Sequence, residues 1–328
     1  MYVRRGCCPT ACEMKRSLLI IALVLVGLPA LIRDPYWLHV YIVTCMNICL
    51  ATSLRVLWNV GLLSCGHAAF MGLGAYSSAI LAKEIGLSPW LGIPLGGGVA
   101  VLGAIALGFA ALRLTGIYFV LISFAFNEVF FLIVTRWRAF TGGPSGLVSI
   151  PRLGGLPPGK LAYAYFVSAV LLATLMILYR FERTRVGRIW LAIRDSEVRS
   201  RCVGIHTTYY KLFAFGVSSF FSGLIGGVYA HYIGFISPSD FTMWQSVYVQ
   251  VYMIVGGAAV FWGPILGSII LTTVTEFIRA TGPLQSVVYG ALLAAVMLFL
   301  PGGLVSVAGY FSRAFGKSAQ GIGVASQK

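Results

Sequence analysis

Apolar segments about as long as a bilayer is thick recur along almost the whole chain, and they constrain its fold more than any other feature. A hydrocarbon core of about 30 Å needs about 20 apolar residues in a helix, and in lipid only helices or closed barrels satisfy every backbone polar group. We therefore predict an all-α integral membrane protein of about ten transmembrane helices. They lie near residues 17–32, 36–57, 67–82, 90–112, 114–135, 161–179, 211–233, 242–260, 262–278 and 284–300.

Composition supports this prediction and excludes a soluble globular enzyme. Hydrophobic residues make up 59% of the 328 and charged residues 10%, whereas a soluble chain of this length carries far more charge. The 39 glycines suit membrane helices that approach closely through small side chains.

The first apolar segment, 17–32, could be mistaken for a signal peptide. No small-x-small cleavage site follows it cleanly, and the Arg-Asp-Pro sequence at 33–35 is typical of a helix end. We expect a retained helix. The predicted organisation is a cytoplasmic N-terminal tail (1–16), a transmembrane domain (17–304) and a cytoplasmic C-terminal tail (305–328).

The placement of basic residues predicts the orientation. With ten crossings and a cytoplasmic N-terminus, 17 of the 24 Lys and Arg residues lie inside and 7 outside, as the positive-inside rule requires. The net charge of +15 is thereby explained without nucleic acid, because basic patches with interleaved aromatic residues are absent. Both termini are predicted to be cytoplasmic.

This topology also allows an inverted repeat. The second helix starts outside and the seventh starts inside, so helices 2–5 and 7–10 could be antiparallel copies, as in transporters built from inverted repeats. Sequence similarity between the halves is faint, and the glycine-broken stretches 61–74 and 256–267 are the candidates for equivalent positions.

Motifs for catalysis, nucleotides or metals are sparse. Gly316-Lys317-Ser318 resembles the end of a phosphate-binding loop, but Phe311 stands where that loop needs glycine. Cys45 and Cys49 share a helix face without further ligands, so we predict no metal site and free thiols throughout. We predict that the chain is not an enzyme, has no catalytic residue and binds no cofactor.

The cytoplasmic segment 180–211 is predicted to contain a short amphipathic helix. Its apolar residues recur at helical spacing: Ile189, Ala192, Ile193 and Val203. Asp195–Arg199 and Glu197–Arg201 are i,i+4 pairs, each worth about 0.2–0.5 kcal/mol, and Gly187 and Gly204 bracket the run as helix breakers. A solvated connecting loop is the alternative. The bracketed helix favours a docking surface for a partner protein.

Inside the membrane Glu128 stands out, about 12 Å deep by its distance along the helix from Arg136. An intramembrane carboxylate suggests function, although a structural hydrogen bond to a neighbouring helix is the simpler interpretation. His67, just after Gly66, is expected to pack or cap a helix end and not to act as a ligand. The nearby glycines permit a broken helix.

The stretch from Gly61 to Tyr76, GLLSCGHAAFMGLGAY, resembles the signature that opens LivM-type permeases, the membrane subunits of branched-chain amino acid ABC importers. Further blocks follow in that family's order: 113–119 with Glu128, 141–152, 187–211, 229–238 and 262–276. The resemblance extends from about residue 36 to 304. Departures at Cys65, Pro144-Ser145, Arg199 and Ala259-Val260 bear on the solute and on the docking surface.

The resemblance implies a permease subunit of the bacterial cytoplasmic (inner) membrane that imports branched-chain amino acids. Its implied partners are a second homologous permease, two cytoplasmic ATP-binding subunits that hold ATP and Mg, an external (periplasmic) solute-binding protein and membrane lipid. The implied sites are three. Coupling to the ATPase involves Gly187, Arg188, Arg194, Asp195, Glu197 and Gly204. The translocation path or helix break involves Ser64, Gly66, His67, Gly72 and Glu128. The external mouth involves Thr141, Gly142, Gly143 and Arg152.

Two alternatives stay open. Related systems of the same architecture import urea or short amides. A proton- or ion-coupled secondary transporter would use Glu128, but such carriers usually have more than one intramembrane acid. Neighbouring genes for a second permease, two ATPases and a secreted binding protein would decide the class.

Overall fold

The computed structural model describes residues 25, 27–32, 34–112, 116–155, 157, 159–278, 290, 291 and 294, and their regular structure is almost entirely helical. The helices are α1 (Pro35–Trp58), α2 (His67–Glu84), α3 (Pro89–Ala111), α4 (Ile117–Arg136), α5 (Lys160–Arg183), α6 (Arg185–Asp195), α7 (Glu197–Cys202), α8 (Thr207–Ile233), α9 (Met243–Gly256) and α10 (Gly263–Ile278). Among these residues, α1, α3, α4, α5 and α8 are long and apolar enough to cross a membrane. The protein is an all-α integral membrane protein.

Short elements occupy the connections. One helical turn, Arg138–Thr141, and a 3-10 turn, Gly143–Ser145, follow α4. A second 3-10 turn, Pro238–Phe241, precedes α9. Between them β1 (Leu147–Val148) pairs antiparallel with β2 (Phe235–Ile236), with Leu147 opposite Ile236. This two-stranded ladder ties the connection after α4 to the end of α8.

The predicted segments between 36 and 278 coincide with described helices, with end shifts of a few residues. The segment predicted at 242–260 stops four residues early, at Gly256, because Gly257 has a φ of 110°, outside the helical range. Residues 27–31 are helical. Apart from residues 25, 27–31 and 32, segment 17–32 lies outside the described residues, as do nearly all of 284–300, both predicted tails and the Gly316-Lys317-Ser318 motif.

Direct backbone contact holds α2, α3 and α8 together. A Cβ added to Gly96 of α3 would lie 2.6 Å from the carbonyl oxygen of Gly74 in α2. At Gly226 of α8 it would overlap the carbonyl oxygen of Met71 in α2. Small residues at helix crossings allow this close approach in membranes. The high glycine content therefore has a structural role at these crossings.

Helix contacts are symmetric between the two halves that the inverted-repeat prediction pairs. In that repeat α1, α2 and α3 correspond to α8, α9 and α10. The structure packs α8 against α2 and α3, and it packs α1 against α9 and α10. The pairs α2–α3 and α9–α10 also pack, as do α1 and α8. The first helix of each half thus packs against the rest of the other half. The fourth pair involves residues 284–300, nearly all outside the described part of the chain.

Connections predicted on one side of the membrane lie together. On the predicted inner side, Arg55 at the end of α1 contacts Glu182 at the end of α5. On the predicted outer side, Lys160 Nζ donates to the Pro35 carbonyl oxygen at 3.2 Å, and Trp90 Nε1 donates to that of Gly154 at 2.9 Å. These three contacts agree with the predicted alternation of helix direction. Which side faces the cytoplasm stays a prediction.

Cysteine labelling tests that orientation. Ser145 is exposed between α4 and β1, so a cysteine there should react with a membrane-impermeant maleimide on intact cells. Exposed Cys202 should first be changed to serine, and that parent chain gives the background signal. Val198→Cys, at a position 72% exposed on the opposite side, should react only after permeabilisation. The reverse pattern would show that the orientation is wrong.

Candidate functional site

A polar cavity of about 620 Å³ lies where α1, α8, α9, α10 and the connection before α9 converge on the predicted outer side. Polar groups in a membrane domain are costly unless they face a cavity or each other. Here they face a cavity, and we call it the acid cavity because of its two carboxylates. Its polar lining includes Asn47, Tyr229, Asp240, Gln245, Thr272 and Glu276.

Hydrogen bonds across the acid cavity join α1 to α10. Asn47 Nδ2 donates to Thr272 Oγ1 at 3.3 Å, and the Tyr36 hydroxyl donates to Glu276 Oε1. These contacts connect segments more than 200 residues apart in sequence. The residues around the cavity therefore come together only through the tertiary fold.

Asp240 is placed by the 3-10 turn before α9. Its Oδ2 accepts a hydrogen bond from the Ser237 backbone N–H at 2.9 Å, which completes a capping box. Burial raises the pKa of Asp240 above its usual range, opposed by the hydrogen bond from Ser237. Sequence analysis missed this residue. It could have been noticed as one of only 9 Asp and Glu residues in the chain, placed in a connection on the predicted outer side.

A second outer cavity, of about 540 Å³, adjoins the first. Arg152 and Lys160 line it, so we call it the basic cavity, and His39 and Ile233 line both cavities. His39 Nδ1 lies 2.8 Å from the Tyr232 hydroxyl, and the two rings stack with centroids 5.7 Å apart. This stacked pair stands at the boundary between the two cavities.

The loop predicted to form the external mouth is an ordered structure. Thr141 Oγ1 donates to the Val134 carbonyl oxygen at 2.6 Å, and Gly142 and Gly143 have positive φ values of 75° and 61°. These three residues shape the turn. The carbonyl oxygen of Pro151 contacts His231 Nδ1 of α8 at 2.7 Å. Of the four residues predicted for the mouth, Arg152 lines a cavity.

The signature segment lies at a junction of helices, and of its residues Met71 lines the acid cavity. His67 Nε2 is 2.9 Å from Ser53 Oγ of α1, and Gln250 Nε2 of α9 donates to the Ser64 carbonyl oxygen at 2.9 Å. A Cβ on Gly66 would lie 2.8 Å from the Ser123 carbonyl oxygen of α4. A Cβ on Gly72 would overlap the Phe130 ring of α4. The segment therefore packs α2 against α1, α4 and α9.

Glu128 lies on α4, half-buried, and among the described residues it has neither a hydrogen bond nor an ion pair. The predicted structural hydrogen bond from this carboxylate is therefore not formed there. The adjacent Asn127 is fully buried, and its Nδ2 donates to the Phe241 carbonyl oxygen at 3.4 Å. Asn127, which sequence analysis did not single out, makes the interhelical contact instead.

The cytoplasmic segment forms two helices, α6 and α7, where one was predicted. The chain is extended at Ser196, with φ −165°, and Ser196 Oγ caps α7 by accepting from the Arg199 N–H at 3.3 Å. The predicted Asp195–Arg199 pair is wrong, because the two residues lie on different helices. The Glu197–Arg201 pair is confirmed at 2.7 Å. Gly187 lies inside α6 and breaks no helix, whereas Gly204 ends the segment with a φ of 85°.

The buried face of α6 differs from the predicted one. Trp190 and Ile193 are buried, and Trp190 Nε1 donates to the Tyr210 carbonyl oxygen at 3.1 Å. Ala192 and Val203, which the prediction placed on the apolar face, are exposed. The solvent-exposed face of α6, α7 and the residue after α7 combines basic and apolar side chains: Arg188, Leu191, Val198, Arg199 and Val203. We call this face, which the predicted topology places inside the cell, the cytoplasmic surface.

Charged contacts fix the cytoplasmic surface to the bundle. Glu197 Oε2 lies 2.7 Å from Lys211 Nζ at the start of α8. Burial opposes ionisation of Glu197, but Lys211, Thr207 and Arg201 together hold its pKa below the usual range. The Arg194 guanidinium lies 4.6 Å from the centre of the Trp58 ring, and burial lowers the pKa of this guanidinium, with Asp195 opposing and Arg55 adding to the shift. Asp195 is exposed.

A buried arginine joins α1, α5 and the α9–α10 connection. Arg55 forms an ion pair with Glu182, and their side chains are 6% and 16% exposed. Its Nε and Nη2 atoms donate to the carbonyl oxygens of Ala258 and Ala259 at 3.0 and 3.3 Å. Asn59 Nδ2 donates to Glu182 at 2.9 Å. We call this cluster the inner lock.

Comparisons with known proteins agree with this arrangement. The family described as "Branched-chain amino acid transport system / permease component" matches residues 38–300. The high-affinity branched-chain amino acid transport system permease proteins LivM of Salmonella typhimurium and Escherichia coli are each 30% identical over 289 residues, covering 80% of this chain and 68% of theirs. The autoinducer 2 import system permease protein LsrC of Yersinia enterocolitica is 26% identical over 248 residues, covering 72% of this chain and 59% of its own. No solved structure gives a significant match.

Proposed function

Because the chain belongs to the family of permease components of branched-chain amino acid transport systems, we propose that it is the membrane-spanning subunit of an ATP-driven importer of branched-chain amino acids. The observation that carries the proposal is the acid cavity. A polar cavity of about 620 Å³ enclosed by membrane helices is suited to a small polar solute, since ligand sites in helical membrane domains lie between helices.

The proposed partners follow from two surfaces. The cytoplasmic surface supports docking of two ATP-binding subunits, which would hold ATP and Mg, so that Arg188, Arg194, Asp195 and Glu197 act through contacts and not through chemistry. Only 28% of the apolar stretch of α4 is buried. Its exposed face carries large apolar side chains, among them Leu121, Phe124 and Leu132. This face suits a second permease subunit or lipid.

With this chain in the bacterial cytoplasmic (inner) membrane, the outer side supports delivery of the solute by an external (periplasmic) solute-binding protein. The ordered loop from Thr141 to Arg152 stands beside the basic cavity, where such a protein would release its solute. The N- and C-termini are then cytoplasmic. Urea or a short amide, or the solute of the autoinducer 2 permeases, would use the same architecture.

A secondary transporter that uses Glu128 is less well supported. Such a carrier needs a titrating group on the solute path, and Glu128 does not line the acid cavity, whereas Asp240 and Glu276 do. Glu128→Gln should therefore leave most uptake intact. Leucine uptake into cells that lack their own systems, and that express the whole gene set, should depend on ATP and survive a protonophore while ATP is held constant. Gradient-driven uptake by this chain alone would overturn the proposal.

A leucine at Gly187 should uncouple ATP hydrolysis from uptake. Any Cβ at this position would overlap the Glu182 backbone, so α6 must shift away from α5 and carry the cytoplasmic surface with it. Overpacking of this kind costs about 1–3 kcal/mol. We expect Gly187→Leu to insert in the membrane but to lose most uptake per ATP hydrolysed.

The matched control is Gly98→Leu on α3, where an added Cβ meets no atom within 4 Å. Membrane content by immunoblot, ATP hydrolysis and initial uptake are measured on both variants. Normal uptake by Gly187→Leu would remove the evidence for coupling through this surface.

A further inference from the structure

A groove of about 490 Å³ lies between α3, α5 and α8 on the predicted inner half of the bundle. Its walls are Val101 and Ile105 of α3 and Ile177 and Phe181 of α5, and its floor is α8. The Tyr209 hydroxyl is the only polar side-chain group among the lining residues that the structure describes. We call this feature the apolar groove.

The apolar groove exists because α3 and α5 meet at one end only. At the predicted outer side the rings of Trp90 and Phe166 have centroids 5.2 Å apart. Toward the inner side both helices pack against α8, and the space left between them is the groove. Ile177 and Phe213 are 43% and 36% exposed, so the groove opens to the outside of the bundle, where the bilayer lies.

The length of the apolar groove matches one leaflet of a bilayer. Its lining on α8 extends from Tyr209 to Phe221, which is about 18 Å at 1.5 Å per residue. One leaflet contributes about 15 Å of a hydrocarbon core of about 30 Å. An extended acyl chain that enters at the predicted inner side could therefore lie along α8 over the whole groove.

Positive charge surrounds the inner end of the apolar groove. A cavity of about 510 Å³ adjoins it there, because Tyr209 lines both. Arg201 and His206 line this second cavity, and among its described lining residues there is neither aspartate nor glutamate. On the other edge, exposed Arg180 of α5 lies between Ile177 and Phe181 in sequence.

The nearby carboxylates leave this charge in excess. Glu182 pairs with Arg55, and Glu197 is shared by Arg201 and Lys211, so the Glu197 cluster keeps one positive charge. Arg180 is in no ion pair among the described residues. An anionic headgroup would therefore complement the inner end of the groove.

We propose that the apolar groove holds an acyl chain of an anionic phospholipid from the inner leaflet, with its phosphate toward Arg180 and Arg201. Basic pockets between membrane helices on the cytoplasmic side bind such headgroups. The site is separate from the acid cavity and does not depend on the proposed function, because a lipid bound there is not the transported solute.

The first apolar segment of this chain approaches a different face of α5. The Tyr41 hydroxyl donates to the Leu25 carbonyl oxygen at 3.0 Å and lies 2.7 Å from Ser168 Oγ of α5. Ser168 and Ile177 are nine residues apart, which places them on opposite faces of a helix. The described part of segment 17–32 therefore does not cover the groove.

Native mass spectrometry of the purified complex tests the proposal. The complex is titrated with phosphatidylglycerol, or with phosphatidylcholine of the same acyl chains, which has no net charge. One arginine near an anionic headgroup contributes about fivefold in affinity, or about 1 kcal/mol. Arg180→Gln should therefore lower the preference for phosphatidylglycerol about fivefold. Gly216→Phe, which fills the groove from its floor, should remove one tightly bound lipid for each copy of this chain.

Each variant has a matched control. Arg183→Gln removes another exposed arginine of α5, whose guanidinium lies 4.5 Å from the centre of the Tyr179 ring. Ala106→Phe places the same ring at an exposed position of α3 that does not line the groove. Both controls should bind lipid as wild type does. Wild-type lipid binding by both Arg180→Gln and Gly216→Phe would overturn the proposal, as would equal affinity of the wild type for the two lipids.

A photo-reactive benzoylphenylalanine in place of Phe220 identifies the occupant directly and does not depend on the folding of Gly216→Phe. Phe220 lines the groove, and the label is irradiated in native membranes before purification. The expected product is this chain with the added mass of one phospholipid. A cross-link to residues 17–24 of this chain or to another subunit would show that protein fills the groove, and the proposal would be wrong.

Discussion

Arg55→Met is expected to give a chain that barely folds and imports no solute. The substitution leaves the Glu182 carboxylate, whose side chain is 16% exposed, without its cation. It also leaves the carbonyl oxygens of Ala258 and Ala259 without their donor. Removing one partner of a buried ion pair costs about 3–5 kcal/mol, a large part of the stability of a typical domain. Thermal unfolding of the purified complex in detergent measures the loss.

Two further variants separate charge from packing at the inner lock. Arg55→Lys keeps the charge but cannot reach three acceptors at once, so it should fall between wild type and Arg55→Met. The double variant Arg55→Met, Glu182→Met removes both charges and should recover part of the stability. Arg136→Met, at an exposed arginine of α4, is the control. If Arg55→Met unfolds at the same temperature as wild type, the inner lock does not stabilise the fold.

Alanine at a glycine where two helices cross should lower the yield of folded protein as severely as the loss of a buried polar residue. At Gly226 the new methyl group would overlap the Met71 carbonyl oxygen, and at Gly96 it would lie 2.6 Å from that of Gly74. A backbone carbonyl oxygen, unlike a side chain, cannot move away by changing rotamer. The two helices must therefore move apart along their length. Overpacking costs about 1–3 kcal/mol and occasionally more, and we expect the upper end for Gly226→Ala.

Each substitution has a control on its own helix. Gly216→Ala on α8 would meet Val101 Cγ1 at 3.7 Å, an ordinary contact, and Gly98→Ala on α3 would meet no atom within 4 Å. Alanine favours a helix over glycine by about 1 kcal/mol, so both controls should be neutral or stabilising. Folded yield by size-exclusion fluorescence compares the four variants. Equal yields would show that the crossings tolerate a wider spacing.

The membrane helices were predictable because their signal is local. Bilayer thickness sets the length of an apolar run, and prolines at 35 and 89 begin α1 and α3 where their missing N–H has no cost. The glycines of the 61–74 stretch were singled out as permitting a broken helix, but α2 runs unbroken from His67 to Glu84. The contact of Gly74 with α3 and α8 could not be read from the sequence, because it depends on the partner helices.

The site residues were less predictable because they depend on neighbours far along the chain. Glu128 attracted notice as a charge in an apolar run, yet Asn127 on the adjacent face makes the contact to Phe241. In the segment 180–211, one helix was predicted to continue through Ser196. Instead, the Ser196 side chain caps the start of a second helix by accepting from the Arg199 N–H. Serine competes with the helix backbone for its own hydrogen bonds, and periodicity does not detect that competition.

Helix α8 is a single 27-residue rod, about 40 Å long at 1.5 Å per residue. Near its predicted inner end, Lys211 forms an ion pair with Glu197. Near its predicted outer end, His231 contacts the carbonyl oxygen of Pro151 in the connection after α4. Tyr229 and Tyr232, near that outer end, line the acid and basic cavities. If a partner tilts α8 at its predicted inner end, as the proposed function requires, a straight helix of this length would also displace the cavity walls at its predicted outer end. No relay of side chains through the bilayer is needed for the two faces to move together.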